Sequence, residues 1–244
     1  FSLAALLAPL FFLQWLVPFA GDLVIGMDYP RISIPQQQEL LLSLVNGSFP
    51  LFVPGFAGGQ SAGALTAGQL FHPITYLAAL LPGYWDGHAL ELMTLLRLVS
   101  LGAANLLLFR LLRRLLASEL TALLLACATV FNLRMLNVFH GAAALEAFTG
   151  QLFTAVALAW CWIHPERRLP RAAVAAATYC TIASGHPQFA YFSLLGTLLA
   201  ALLMPATVQG ARGLPAPELG ASLRSWARMA GLAALAGLLA APYA

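Results

Sequence analysis

Residues 88–114 read HALELMTLLRLVSLGAANLLLFRLLRR, and this stretch decides the class of fold. It stays mostly apolar for about 20 residues, which is the length an α-helix needs to cross the hydrocarbon core of a bilayer. Three arginines, Arg110, Arg113 and Arg114, follow directly. Because cytoplasmic loops of membrane proteins are enriched in basic residues, this cluster is expected to mark the cytoplasmic end of a membrane span.

The composition of the whole chain agrees with this interpretation. Of the 244 residues, 61% are hydrophobic and only 9% are charged, which excludes an ordinary soluble domain. The net charge of +3 does not indicate a nucleic-acid partner, since the arginines are scattered among apolar runs or grouped at their ends. Cys127, Cys161 and Cys180 lie inside apolar runs without metal-ligand spacing, so we interpret them as packing residues.

The chain is therefore predicted to be an all-α, polytopic transmembrane helix bundle with about seven spans. Alternating spans place the arginine clusters that follow the second, fourth and sixth spans on one side, which is the cytoplasmic side. We expect residues 1–244 to form a single transmembrane domain and to be an incomplete part of a longer protein. The predicted spans are 3–19, 88–108, 119–133, 142–163, 172–184, 189–204 and one that begins near residue 229.

Residues 20–87 are predicted to form a large first outer loop that contains interfacial helices. Within it, residues 33–45 form a short amphipathic helix, with an apolar stripe of Leu40, Leu41, Leu44 and Val45 opposite the glutamines. Residues 49–60 are rich in Gly and Pro and are expected to be irregular. Residues 69–81 are expected to form a short apolar helix, re-entrant or interfacial, that includes His72.

Asp28 and Asp22 are the candidate catalytic residues, because both follow the first span on the outer side. A carboxylate there can act as a general base on an acceptor hydroxyl or hold a divalent cation, although nothing in the sequence demands a cation. The alternative is that both are solvated acids at the end of a span.

Further polar residues are expected near the same face. His186 lies in a Gly-His-Pro-Gln turn between two spans, where histidine can donate to a phosphate, and the alternative is a simple capped turn. Glu146 lies inside the fourth span, where a carboxylate needs a partner such as Arg134 or His140, and a purely structural pair is equally compatible. Arg97 is expected to pair with Glu146 or with Glu91. His88 and Glu91 have the spacing of a structural pair.

Several motifs resemble the N-terminal part of the YfhO-like bacterial membrane proteins, which are similar to lipid-carrier-dependent glycosyltransferases of the GT-C fold. An acidic residue after the first span and an interfacial helix in a large outer loop fit this resemblance. The motifs are residues 50–59 (PLFVPGFAGG), 68–73 (GQLFHP) with 80–82 (LLP), 185–188 (GHPQ) and 239–242 (LAAP).

The resemblance implies a multi-pass protein of the bacterial cytoplasmic membrane whose active face is periplasmic. It implies an inverting glycosyltransferase that uses a polyprenyl-phosphate-linked sugar donor to modify a cell-envelope acceptor, with Asp28 as the base. The alternative is a non-catalytic transmembrane subunit that packs with other membrane subunits and lipids. A transporter is disfavoured, because no broken helices recur in matching halves. The expected substrate-binding residues are Arg31, His72, Arg134, His140, Glu146, His186 and Gln188.

Overall fold

The computed structural model describes residues 1–12, 34–48, 52–53, 60–61, 71–116, 118–131, 142–164, 167–184, 191 and 195–196. Within these ranges the protein is helical apart from one short antiparallel ladder. The ladder pairs β1 (Phe52–Val53) with β2 (Gln60–Ser61). The helices are α1 (Ser2–Leu7, continued by a 3-10 turn at Ala8–Phe12), α2 (Ile34–Val45), α3 (Pro73–Ala79), α4 (Ala89–Leu115, preceded by a π-helical turn at Tyr84–His88), α5 (Glu119–Val130), α6 (Ala142–Ile163) and α7 (Arg168–Ile182).

Helix α4 is the central element of the described structure. Together with its π-helical turn it spans Tyr84–Leu115, and among the described residues it is the one helix that is both long and apolar enough to cross a membrane. This supports the prediction of a membrane span at this position. The total of about seven spans stays a prediction.

Three helices pack along α4, and their contacts fix their directions. Helix α6 is parallel to α4, because Leu101 clusters with Leu145 and, further along both helices, Leu111 clusters with Val156. Helix α5 is antiparallel to α4, as a short connection of a few residues requires. Helix α1 is also antiparallel to α4, since its residue Ala5 lies beside Phe109 while Leu10 lies near Leu98.

The crossing of α1 and α4 depends on a glycine in α4. A Cβ added at Gly102 would collide with the carbonyl oxygen of Leu6, so only glycine lets the two backbones approach this closely. One turn further on, Asn105 donates from Nδ2 to the carbonyl oxygen of Ala5 at 2.8 Å. Close approach and a buried hydrogen bond therefore hold α1 in register against α4.

Helices α6 and α7 meet in the same way. Gly150 lies directly against Thr181, whose backbone nitrogen and Cα are 3.0 Å and 3.1 Å from the position that a Cβ would occupy. The Thr181 hydroxyl donates to the carbonyl oxygen of Ala177, which is four residues earlier. The two helices run antiparallel, because Cys161 and Val174 also share one cluster near the opposite end.

The helix positions match the predictions more closely than the helix ends do. Helix α6 has the predicted bounds. Helix α4 continues through the arginine cluster, so Arg110, Arg113 and Arg114 belong to its last two turns. Helix α7 begins four residues before the predicted start, since Pro170 lies in its first turn, where proline is tolerated. The expectation of a wholly irregular segment at 49–60 is wrong where β1 and β2 pair.

The predicted face of α2 is only partly right. Leu40 and Leu41 are buried as expected, whereas Leu44 is exposed and Val45 is 80% exposed. Gln36 and Gln37 are buried as well, so the helix turns both aliphatic and amide side chains inward.

Replacing Gly102 with Ala is expected to lower the free energy of unfolding by about 1–2 kcal/mol. Overpacking costs about 1–3 kcal/mol, and the better helix propensity of Ala recovers up to about 1 kcal/mol of this. Thermal unfolding of the purified chain in detergent, followed by circular dichroism, measures the change. Val99→Ala on the exposed side of the same helix is the control and is expected to change stability by less than about 0.5 kcal/mol. Equal stability of Gly102→Ala and the wild type would contradict the close approach.

Candidate functional site

His72 is the N-cap residue of α3, and Pro73 lies in the first turn of the helix. Its Nδ1 accepts a hydrogen bond from the backbone N–H of Ile74 at 3.3 Å. This corrects the expectation that His72 lies inside the short helix. A capping residue satisfies one of the backbone donors that every helix leaves free at its start, so the helix holds the imidazole in a fixed position.

Glu146 lies one turn into α6 and pairs with Arg97 in the first half of α4. Nε of Arg97 donates to Oε1 of Glu146 at 2.6 Å, and the two residues are only 1% and 2% exposed. The sequence analysis left two possible partners for Arg97, Glu91 and Glu146. In the structure the partner is Glu146. His88 and Glu91 are both exposed and form no ion pair with each other within the described part of the chain.

His72 completes a three-residue cluster with this pair. Its Nδ1 is 3.7 Å from Oε2 of Glu146, although the two residues are separated by more than 70 positions in the sequence. The cluster of His72, Arg97 and Glu146 thus joins three helices. A fourth helix supports it, because the hydroxyl of Tyr179 in α7 donates to the carbonyl oxygen of Phe71 at 3.0 Å.

The surroundings of His72 favour its neutral form. Burial lowers the pKa of His72, the carboxylate of Glu146 opposes this by raising it, and the charge of Arg97 lowers it again, so the pKa lies below 6.5. A neutral imidazole whose Nδ1 accepts a hydrogen bond carries its proton on Nε2. At neutral pH His72 is therefore a donor at Nε2.

The charges of Arg97 and Glu146 balance, but one carboxylate oxygen of Glu146 has no hydrogen-bond partner among the described residues. Glu146 uses Oε1 for Arg97, while Oε2 accepts no hydrogen bond from the residues that the structure describes. Buried carboxylate oxygens are normally satisfied, so Oε2 is an unusual feature of this cluster. No group of three His, Cys, Asp or Glu side chains suited to a metal ion occurs within the described ranges.

Two of the predicted site residues, His72 and Glu146, lie within the described residues, and the structure brings them together. The remaining predicted catalytic and substrate-binding residues lie outside the described residues: Asp22, Asp28, Arg31, Arg134, His140, His186 and Gln188.

Arg97 was not among the predicted substrate-binding residues, although a signal for it exists in the sequence. It is the one basic residue between His88 and Arg110, in the middle of an apolar run, and an ionisable residue at that depth marks a functional or paired position. Gln37 was assigned to the polar face of its helix but is fully buried. Its burial had a signal in the periodicity, because Gln37 precedes Leu40 and Leu41 by three and four residues and so shares their side of the helix.

No protein family, curated protein or solved structure matches this chain. The resemblance to YfhO-like proteins therefore stays a prediction from the motifs.

Removing either member of the buried ion pair is expected to destabilise the protein strongly. Arg97→Met or Glu146→Met leaves one charge buried without compensation, which costs about 3–5 kcal/mol. The double variant removes both charges and is expected to lose less than either single variant. Unfolding in detergent, measured for all four proteins, gives the coupling energy.

The exposed pair Arg113–Glu119 is the matched control for this cycle. Its nitrogen and oxygen are 3.3 Å apart, but the side chains are about half exposed. The same substitutions there are expected to change stability by less than about 1 kcal/mol. Comparable losses at the two pairs would show that the burial of Arg97 and Glu146 has no energetic effect.

The buried, neutral state of His72 predicts a pH dependence. Because its folded pKa is below 6.5, the unfolded chain binds the proton first, and stability falls as the pH drops below about 6.5. His72→Asn keeps a capping side chain and removes this contribution, whereas His72→Ala also loses about 1 kcal/mol at pH 7.5 because the cap is gone. Unfolding of the three proteins between pH 7.5 and 5.5 measures both effects. Identical pH slopes for the wild type and His72→Asn would contradict the neutral state.

Proposed function

We propose that the chain belongs to a membrane glycosyltransferase that takes a sugar from a polyprenyl-phosphate carrier at the outer face of the bacterial cytoplasmic membrane. The observation that carries this proposal is the cluster of His72, Arg97 and Glu146. Two residues predicted independently to line an outer polar site, His72 and Glu146, lie 3.7 Å apart and are almost fully buried. Ionisable groups that converge inside an apolar bundle mark a functional position by default.

The distribution of arginines supports the orientation. Arg114 near the end of α4 contacts His164 just after α6, and Arg167, Arg168 and Arg171 start the next helix, so two arginine clusters share one end of the bundle. By the positive-inside rule that end is cytoplasmic. Arg97 lies 17 residues before Arg114 on α4, which corresponds to about 26 Å along the helix axis. The cluster is then near the outer leaflet.

The pattern of burial supports a lipid environment for several helices. Leu120, Leu124 and Leu125 of α5 and Leu80 after α3 are exposed, while a charged pair and two glutamines are buried. In water this arrangement would expose much apolar surface, whereas in a bilayer the same surface is solvated by acyl chains. By length alone, helix α6 also suits a bilayer, since its 22 residues extend about 33 Å.

In the proposed mechanism the cluster binds the substrate and Asp28 performs the chemistry. Nε2 of His72 donates to an oxygen of the sugar or phosphate, and Oε2 of Glu146 accepts from a sugar hydroxyl. Asp28 removes the proton from the acceptor hydroxyl as that oxygen attacks the anomeric carbon. The carrier phosphate leaves with the bonding electrons and is held by an arginine such as Arg31 or Arg134.

The test is sugar transfer by the chain reconstituted in liposomes with radiolabelled undecaprenyl-phosphate glucose and a cell-envelope extract as acceptor. Asp28→Asn is expected to lower the transfer rate by about 10²–10⁴-fold, because a general base contributes that much. Asp86→Asn is the matched control, since Asp86 is an exposed acid in the turn that begins α4. It is expected to leave the rate unchanged.

A rate in Asp28→Asn equal to that of the wild type, with normal membrane insertion, would remove Asp28 from the mechanism. The alternative function, a non-catalytic subunit, predicts a different outcome. The wild type would then show no transfer with any lipid-linked sugar and would purify with membrane proteins in fixed stoichiometry.

A further inference from the structure

A groove of about 530 Å³ lies between α6 and α7 and reaches Leu107 of α4. This volume is within the range of ordinary ligand sites. Its walls are almost entirely apolar, with Phe153 and Trp160 from α6 and a row of alanines from α7. It is distinct from the cluster of His72, Arg97 and Glu146, which lies towards the other end of α4 and α6.

The polar residues of the groove are confined to one end. His164 and Arg167, in the connection between α6 and α7, line it there. Nη1 of Arg114 lies 2.7 Å from Nε2 of His164, and the Arg114 guanidinium lies over the Trp160 ring, 5.5 Å from its centroid. His164 stacks on the same Trp160 ring. An ordered arrangement of Arg114, His164 and Trp160 therefore flanks the mouth of an apolar groove.

The mouth is positively charged. Arg114 and Arg167 are both exposed, and residues 164–171 contain three arginines and one glutamate. Arginine binds phosphate oxygens through two parallel N–H donors, and tryptophan favours the depth of lipid headgroups. An occupant that matches these features has a long apolar part and an anionic head.

We propose that this groove binds an anionic phospholipid of the inner leaflet. One acyl chain lies between α6 and α7, and the phosphate contacts Arg114 and Arg167. Basic pockets between membrane helices on the cytoplasmic side bind such headgroups. The proposal rests on the membrane orientation given under the proposed function, but it does not depend on glycosyl transfer.

The test is native mass spectrometry of the purified full chain in a neutral detergent, with phosphatidylglycerol and phosphatidylcholine of matched acyl chains. Undecaprenyl phosphate is added as a competitor. We expect one phosphatidylglycerol molecule per chain and at least tenfold weaker binding of phosphatidylcholine. No sugar donor is present, so the result is independent of any enzyme activity.

Paired variants locate the bound lipid. Ala173→Phe fills the groove from an exposed position of α7 and is expected to abolish binding, whereas Ala172→Phe, exposed but outside the groove, is its control. Arg114→Gln and Arg167→Gln are each expected to weaken phosphatidylglycerol binding about fivefold. Arg113→Gln is the control for the arginines, because Arg113 pairs with Glu119 instead.

Equal binding of phosphatidylglycerol and phosphatidylcholine would overturn the proposal, since charge would then play no part. So would equal binding by Ala173→Phe and Ala172→Phe, because the lipid would then lie elsewhere on the apolar surface. Displacement of phosphatidylglycerol by an equimolar amount of undecaprenyl phosphate would assign the groove to the polyprenyl carrier and would also overturn it.

Discussion

The structure depends on one buried ion pair. Arg97 and Glu146 are nearly inaccessible, and each would be prohibitively unstable in an apolar bundle without the other. Their contact fixes the rotation of α4 against α6, because both side chains must point into the shared interface. A buried pair of this kind often adds little net stability, because the cost of removing both charges from water offsets much of their attraction. His72 and the start of α3 are positioned around the carboxylate that the pair holds.

Other buried polar residues satisfy their hydrogen bonds within their own helices. Threonines on α6 and α7 turn their hydroxyls back to carbonyl oxygens four residues earlier, so they are buried without leaving a donor unsatisfied. Glycine at positions 102 and 150 lets neighbouring helices approach closely enough for such contacts. Small residues and internal hydrogen bonds are what helices use to associate when apolar burial gives no advantage over lipid. Close helix approach and internal hydrogen bonds thus account for these buried polar and small residues.

Among the described residues, the sequence predicts the existence of the longer helices well, because they come from long apolar runs with clear breaks, as for residues 142–163. It predicts the ends of helices poorly, because arginines at an interface continue a helix as readily as they end it. The prediction for α2 placed the glutamines on the wrong side, although Gln37 precedes Leu40 and Leu41 by three and four residues and is buried with them. For the site, His72 and Glu146 were found as isolated polar residues in apolar surroundings. Arg97 was predicted to pair with Glu146 or with Glu91, and the choice of Glu146 depends on the parallel packing of α4 and α6, which are far apart in the sequence.

Helix α7 takes part in both regions of interest. Towards its start, Ala173 and Ala177 line the groove, and towards its end the Tyr179 hydroxyl binds the carbonyl oxygen of Phe71, the neighbour of His72. From residue 173 to residue 179 is only about 9 Å along the axis. A shift or tilt of this rigid helix therefore moves a wall of the groove and the backbone anchor of the imidazole together. The groove and the histidine are mechanically linked through a single helix.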